Sequence, residues 1–538
     1  MNGGKIVKEV QIRNFRSLKN TGLQTLSPIT LLVGENSSGK STFLRAFPLL
    51  KQSLAKRTSG PILWAGDVDD YVDFGSFEET VTNDGSQSIE FRFRFDMMHS
   101  DGGSRFSDYI RFGENGDAYL NEYDKVDYAI TIKSSKGHEY VSKFILSVNS
   151  LKVEFDLIKS SILVNDSYSY SGTKSKTSGD SGGQNIWGNY GYIFSSSKSF
   201  GFSLPSIGKV WKEIFKRLRA EENSEYRKYY LIEMLAVVGE RLSKGQEPLS
   251  IDESSDLASE YPSWYTQDYN AILNLLQSDN NNQMAEKMKL SYIYFKFSEI
   301  EDYISEYFRQ VHYIAPLRAT AERYYRLRNL AVNEVDYQGK NLAIFINSLS
   351  SKQLREFHEW TNEHFGFTVS TDKSKGHLSL LIKLIDSDKA NNLSDTGFGY
   401  SQVLPIITQL WELSSRKRPK IPGYYSVSQL CPLVIAIEQP ELHLHPAIQA
   451  KLAKAFIACI KLARDNGYEL QLLLETHSQT IVDYLGRAIA KGQLSRDDVS
   501  VILFEKNADG NATVVKNSNY DENGYLENWP YGFFDPKE

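Results

Sequence analysis

Two cysteines, Cys431 and Cys459, are all that 538 residues contain, and both fall in apolar segments. That excludes a disulfide scaffold and predicts reduced thiols in a core, in a cytosolic compartment. No apolar run approaches the roughly 20 residues that a membrane-spanning helix needs, so no membrane partner is expected. The first residues, Met1 to Glu9, lack the apolar stretch of a signal peptide. A basic excess is missing too. Lys and Arg number 61 against 67 Asp and Glu, a net charge of −6, so contact with nucleic acid would need a local patch. No fixed-period repeat occurs, which argues against a solenoid or propeller. Tyrosine is abundant, at 32, and concentrated in the middle third, where it hints at contact surfaces. A chain of this length buries a large core and has room for two to four domains.

What is present centres on Gly34-Glu35-Asn36-Ser37-Ser38-Gly39-Lys40-Ser41-Thr42. Two glycines bracket four residues, Lys and Ser follow, an apolar run (Ile29 to Val33) precedes, and helical spacing (Phe43 to Leu54) comes after. Strand, loop and helix are the context a P-loop requires. Gly34 and Gly39 let backbone N–H groups form a concave nest, and the helix beginning near Lys40 points its positive end into it, so a polyphosphate is the expected guest. Lys40 is expected on the β and γ phosphates of ATP, and the Ser41 hydroxyl on a Mg²⁺ ion.

The sequence predicts an α/β fold, with a mixed sheet, flanking helices, an antiparallel β arm and a helical insertion. Residues 1–165 read as an N-terminal lobe. A strand spans Lys5 to Leu18, and a meander runs through Ile89–Phe95, Tyr109–Phe112, Val126–Ile132, Phe144–Val148 and Leu151–Leu157. Residues 166–202, rich in Ser and Gly, are expected to be a mobile loop. Residues 203–310 read as the helical insertion, with helices over Ile207–Lys244 and from an acidic link, Asp252–Glu260, to about Phe308. Residues 311–538 form a C-terminal lobe. There Val311–Arg318 is a strand, Leu342–Phe365 is helical, and Leu378–Ile385, Val499–Phe504 and Ala512–Lys516 are strands.

Two further apolar runs end in polar groups. Leu433–Ile437 closes on Glu438-Gln439-Pro440-Glu441, and an acid at the carboxyl end of a strand beside a P-loop is placed to complete a Mg²⁺ shell. Leu470–Leu474 closes on Glu475-Thr476-His477-Ser478, where His477 is expected on the same rim, near a γ-phosphate or the attacking water. A turn containing Thr396, Gly397, Gly399 and Ser401 leads into an apolar helix and offers a second anion-binding helix start.

The order of P-loop, long insertion, glycine-containing turn, acidic strand and strand-end histidine resembles the ABC-type ATPase heads of the SMC, Rad50, RecF and OLD group. "IEQPELHLHP", "ETHSQTIVDYL", "IRNFRSLKN", "YIAPLRATAERYY" and "WPYGFFD" are similar to one bacterial branch of it. Within that branch the chain is most similar to PtuA-type ATPases of Septu and retron anti-phage systems, whose partner is an HNH nuclease. The resemblance implies an ATP-sandwiched homodimer or larger assembly, with Glu438 as Walker B acid and His477 as switch histidine. It implies that the turn holding Thr396, Gly397, Gly399 and Ser401 faces the opposing nucleotide, and that a structured nucleic acid such as retron RNA or DNA is a candidate partner.

Two departures qualify that expectation. The usual catalytic glutamate position holds Gln439, which orients water but accepts no proton, so turnover is expected to be slow, with Glu441 as substitute base. The turn also lacks an SGG core. No nuclease domain is expected in the roughly sixty residues after His477, so cleavage would belong to a partner.

Other readings compete. His443, His445, His477 and Glu441 together suggest zinc, although the ATPase loops account for the same residues. Arg318, Arg323, Arg326 and Arg328, interleaved with tyrosines, suit a nucleic-acid backbone or a solvated helix face, Arg318 being the one expected to be buried. Lys212–Lys228 mixes charges and reads as a salt-bridged surface. A DNA repair or recombination ATPase of RecF or Rad50 type is the first alternative function. A non-hydrolysing, ATP-cemented scaffold is the second.

Overall fold

The computed structural model describes residues 6–56, 58–67, 70–82, 87–98, 123–159, 161–166, 168–171, 205–220, 223–249, 263–279, 282–326, 332, 334–374, 376–418, 430–507 and 513–529. They fall into two units. One comprises Met1–Ala55, Leu63–Asp84 and Tyr307–Glu538; the other comprises Lys56–Ile62 and Gly85–Glu306.

The first unit is built on a six-stranded sheet in the order Val311–Ile314, Cys431–Glu438, Tyr468–Glu475, Ile29–Gly34, Val499–Lys506, Thr513–Ser518. Its first five strands are parallel and the last is antiparallel. Continuous apolar runs such as Ile29-Thr-Leu-Leu-Val33 suit strands covered on both faces, and all six residues of the P-loop strand are buried. Helix Pro446–Asp465 packs on the Tyr468–Glu475 strand and against helices Phe398–Ser415 and Gln479–Ala490. A smaller antiparallel sheet pairs Phe367–Ser374 with His377–Leu384, and its apolar face joins the same core through Val369, Leu380 and Ile382.

Local sequence explains where the expected elements change. The strand expected over Lys5–Leu18 is a hairpin, Val7–Phe15 with Leu18–Asn20, and Arg16 in its turn has φ +52°. The apolar alternation breaks between Phe15 and Leu18, three residues apart, and those two pair across the turn. Helical spacing over 342–365 splits into Leu342–Ser348 and Ser351–Phe365, because the Ser350 hydroxyl accepts from Gln353 N and opens a new helix.

In the second unit the strands Ser88–Met98, Tyr123–Ser135, His138–Val148, Leu151–Asp156, Ser161–Val164 and Tyr168–Ser171 form an antiparallel meander. Four helices follow: Pro205–Arg217, Glu225–Ser243, Ser263–Gln277 and Gln283–Arg309. The sequence places the meander with the N-terminal lobe and the helices in a separate insertion, whereas here both lie in one unit. Phe297 of the long helix packs against Tyr128, Phe144 and Phe155 of the strands, and Tyr303 stacks on Phe95 at 4.5 Å. A strand sheet with one apolar face needs such a cover, and these aromatics supply it.

The strand expected at Tyr109–Phe112, the link Asp252–Glu260, Arg328 and most of "WPYGFFD" lie outside the described residues. So does the expected loop 166–202, apart from Asp166 and the strand Tyr168–Ser171. Among the described residues no helix is long and apolar enough to cross a membrane.

Candidate functional site

The loop Glu35–Gly39 joins the central strand to helix Lys40–Ala55, as the motif requires. Ser37 takes φ +59° and Gly39 φ +95°. A Cβ on Gly34 would come within 2.2 Å of the Phe504 carbonyl oxygen, so the loop leaves the sheet through a passage only glycine fits. Lys40 is buried, 3% exposed, and its Nζ donates to the carbonyls of Gly34 (3.0 Å) and Glu35 (2.6 Å). Burial lowers its pKa. The Ser38 carbonyl accepts from Thr513 Oγ1 at 2.8 Å, while the buried Ser38 hydroxyl has no partner.

The parallel ladder sets Glu438 opposite Glu475, and Glu475 opposite Leu32 of the P-loop strand. Both acids are buried, 2% and 3% exposed. Ser41 Oγ donates to Glu475 Oε1 at 2.9 Å, and Glu475 Oε2 has no partner. Burial, and then the charge of Glu438, push the Glu475 carboxyl up to about 7. Glu438 is fully engaged: Arg45 donates from Nε to Oε1 (2.6 Å) and from its terminal nitrogen to Oε2 (2.7 Å), and Tyr313 OH donates to Oε1 (2.7 Å). This fork raises the Arg45 pKa. A cleft of about 490 Å³ opens beside Arg45 and Tyr313, lined also by Tyr71, Tyr337 and Asp67.

After Glu438 the chain turns at Gln439, in the left-handed region at φ +44°. Arg318 holds that turn. It is 5% exposed and donates to the carbonyls of Glu438 (2.8 Å) and Gln439 (3.1 Å). Its Nε and second terminal nitrogen are buried without partners, and burial lowers its pKa to about 10. Glu441, expected as a base, bridges the two rim turns: Thr476 Oγ1 donates to one oxygen (2.8 Å) and His477 N to the other (2.7 Å). Burial raises its pKa, so a proton taken there is held more tightly than by a free carboxylate. His477 is half-buried, and burial together with the charge of Lys40 lowers its pKa, which keeps the imidazole neutral near pH 7.

The structure thus gathers Gly34–Thr42, Glu438, Gln439, Glu441 and His477 on one edge of the parallel sheet. The turn of Thr396, Gly397, Gly399 and Ser401 sits on the segment after the Glu438 strand: Phe398 meets the His443 ring at 5.0 Å, and a Cβ on Gly399 would lie 3.1 Å from the His443 carbonyl. Thr396 Oγ1 donates to Leu393 O (2.7 Å), and Gly397 faces open space. Ser401, in the turn expected to face an opposing nucleotide, is buried and donates to Phe398 O within its own helix, at 2.7 Å.

The suggested zinc group is dispersed. His443 packs on Phe398, His445 Nδ1 caps helix Pro446–Asp465 by accepting from Ala447 N (3.2 Å), and Glu441 is bonded as above. Among the described residues no group of three or more His, Cys, Asp or Glu is placed to hold a metal ion. Arg323 pairs with Asp395, and the mixed-charge stretch Lys212–Lys228 is salt-bridged through Arg227–Asp268 and Lys287–Glu213.

Sequence reasoning passed over Glu475, Arg45 and Tyr313. Glu475 carries the same signal that singled out Glu438, an acid closing an apolar run. Arg45, a cation on a largely apolar helix, was visible, but its partner lies 393 residues away.

The donor set fits a polyphosphate and a divalent cation: a helix amino end, a buried ammonium, a hydroxyl, and a buried carboxylate oxygen without a partner. Residues 6–482 match the model of a family described as an AAA ATPase domain. Residues 494–538 match a second family, DUF3696, described as a protein of unknown function. None of the curated proteins matches the chain by sequence. Among solved structures it is similar to an SMC head domain from Thermotoga maritima, at 10% identity over 95% of this chain and 98% of that one, with a TM-score of 0.32. It is also similar to the recombination mediator protein RecF of the RecFOR pathway. With ATPrS the identity is 12% over 96% and 99%, and with ATP 11% over 95% and 99%, both at a TM-score of 0.27. Likenesses of that degree say nothing of activity or partner.

Proposed function

The chain belongs to the AAA ATPase domain family, and from that premise we propose that it is a nucleotide-controlled switch that binds ATP with Mg²⁺ and hydrolyses it slowly. The observation that carries the reading is the convergence of buried Lys40, Ser41 and two buried strand-end carboxylates on one edge of the parallel sheet. Loop N–H groups and Lys40 would bind the phosphates. Mg²⁺ would lie beside Ser41 on the rim formed by Glu438 and Glu475, where it would neutralise charge on the transferring phosphoryl group.

Gln439, half-buried in a turn clamped by Arg318, supports slow turnover, since an amide orients water without taking its proton. Glu441 and His477 lie on the same rim, and Glu441 already receives two hydrogen bonds, so its part is to hold the rim together and accept a proton at that cost. The turn at Thr396–Ser401, whose Gly397 faces open space, supports a second copy of the chain as the surface that covers the nucleotide. The similarity of its motifs to PtuA-type ATPases supports an HNH nuclease as the effector held or released, in anti-phage defence.

ATP turnover by the purified chain, with and without Mg²⁺, tests the core of this reading. Lys40→Ala should lower turnover at least roughly 100-fold, because removing a preorganised phosphate donor costs about that much. Mg²⁺-independent turnover, or a Lys40→Ala variant as active as the parent, would sink it.

A further inference from the structure

We propose that Glu475, rather than Glu438, is the carboxylate that takes the divalent cation with Ser41, and that Glu438 is a positioning residue. The proposal rests on the reading of this site as a Mg²⁺·ATP site and specifies which side chain completes it.

The two acids stand side by side in the ladder, yet their oxygens are differently committed. Each oxygen of Glu438 receives a guanidinium hydrogen bond from Arg45, and one of them a third hydrogen bond from Tyr313. To ligate a cation it would have to release the Arg45 fork and leave two like charges, metal and guanidinium, facing one carboxylate. Glu475 needs no such exchange. It sits on the strand next to the P-loop strand, Oε1 already meets the Ser41 hydroxyl, and Oε2 is buried without any partner. Buried polar atoms in native proteins are satisfied as a rule, and a carboxylate oxygen left bare beside a phosphate-binding loop has a divalent cation as its natural complement. Mg²⁺ in nucleotide sites takes one or two carboxylates or hydroxyls from the protein and the rest from phosphate and water, and Ser41 with Glu475 supplies that number.

Glu438 then acts through its neighbours. Its fork fixes Arg45 on the P-loop helix, its hydrogen bond fixes Tyr313, and its carbonyl receives Arg318, so the turn carrying Gln439 is held from both sides.

The test separates metal binding from nucleotide binding. Affinity for a fluorescent, non-hydrolysable ATP analogue is measured in EDTA, and Mn²⁺ binding to the same complex is followed by electron paramagnetic resonance. Glu475→Gln should keep the EDTA affinity within about threefold of the parent and raise the Mn²⁺ half-saturation concentration at least roughly tenfold, as loss of a metal-site group does. Glu438→Gln, whose remaining oxygen can still accept from Tyr313 OH and Arg45 Nε, should move the Mn²⁺ value far less than Glu475→Gln does. If Glu475→Gln does not fold, Glu475→Asp, which withdraws the carboxylate by one methylene, should give the same loss in smaller measure. Mn²⁺ affinity that falls with Glu438→Gln and holds with Glu475→Gln or Glu475→Asp overturns the assignment while leaving the ATP site standing. A parent chain that binds the analogue neither in EDTA nor with Mn²⁺ overturns the ATP site itself.

Discussion

Glu438 and Glu475 end neighbouring strands at one register, each closes an apolar run, and each is buried, yet one is saturated with donors and the other keeps an oxygen bare. The contrast shows that a residue's place at a strand end does not decide its chemistry. The donors that reach it do, and those come from the P-loop helix and from the strand at Val311–Ile314.

Breaking the saturated side should cost most. Arg45→Met leaves Glu438 as a buried charge without its fork and should destabilise the protein by about 2–4 kcal/mol, below the value for a fully buried pair because Arg45 is about a third exposed. Chemical denaturation measures it, and a midpoint unchanged from the parent would show that the fork does not hold the rim.

The bare side predicts the opposite sign. The folded pKa of Glu475 is raised from the ordinary 4.5 to about 7, so the native state holds its proton more tightly than the unfolded chain does. Stability from this group is therefore present below about pH 4.5 and is lost as pH rises to about 7. Glu475→Gln removes that loss. In EDTA it should be more stable than the parent by about 1–2 kcal/mol at pH 8, with the gain shrinking towards pH 5. Melting curves at the two pH values check this, and a variant less stable than the parent at pH 8 would contradict it.

Tyr313→Phe sharpens the comparison with the smallest change. It removes one of three donors to Glu438 and should cost about 1 kcal/mol, with Arg45 still in place. Combined with Arg45→Met the loss should exceed the sum of the two, since the single variants each leave the acid a donor.

Much of this was legible along the chain, for identifiable reasons. The P-loop, the two apolar strands and their polar ends are local patterns, because a buried parallel strand must be apolar throughout and a phosphate loop must be rich in glycine. Elements whose limits depend on a turn were less legible. The hairpin at Phe15–Leu18 and the break at Ser350 hide inside patterns that look continuous. The assignment of the meander and helices to a single unit rests on Phe297 meeting Tyr128, Phe144 and Phe155, contacts between residues about 140 to 170 positions apart.

By itself the sequence determined that a phosphate-binding loop stands between a buried strand and a helix, and that two further strands end in acids, because each feature is encoded within about a dozen neighbouring residues. Only the tertiary structure decided which acid faces Ser41, which is tied to Arg45 and Tyr313, that Glu441 ties two turns together and that Ser401 points inward. Strand order and register set those partners, and both come from the packing of segments far apart in the chain, where burial makes an unmatched charge too costly to leave to chance.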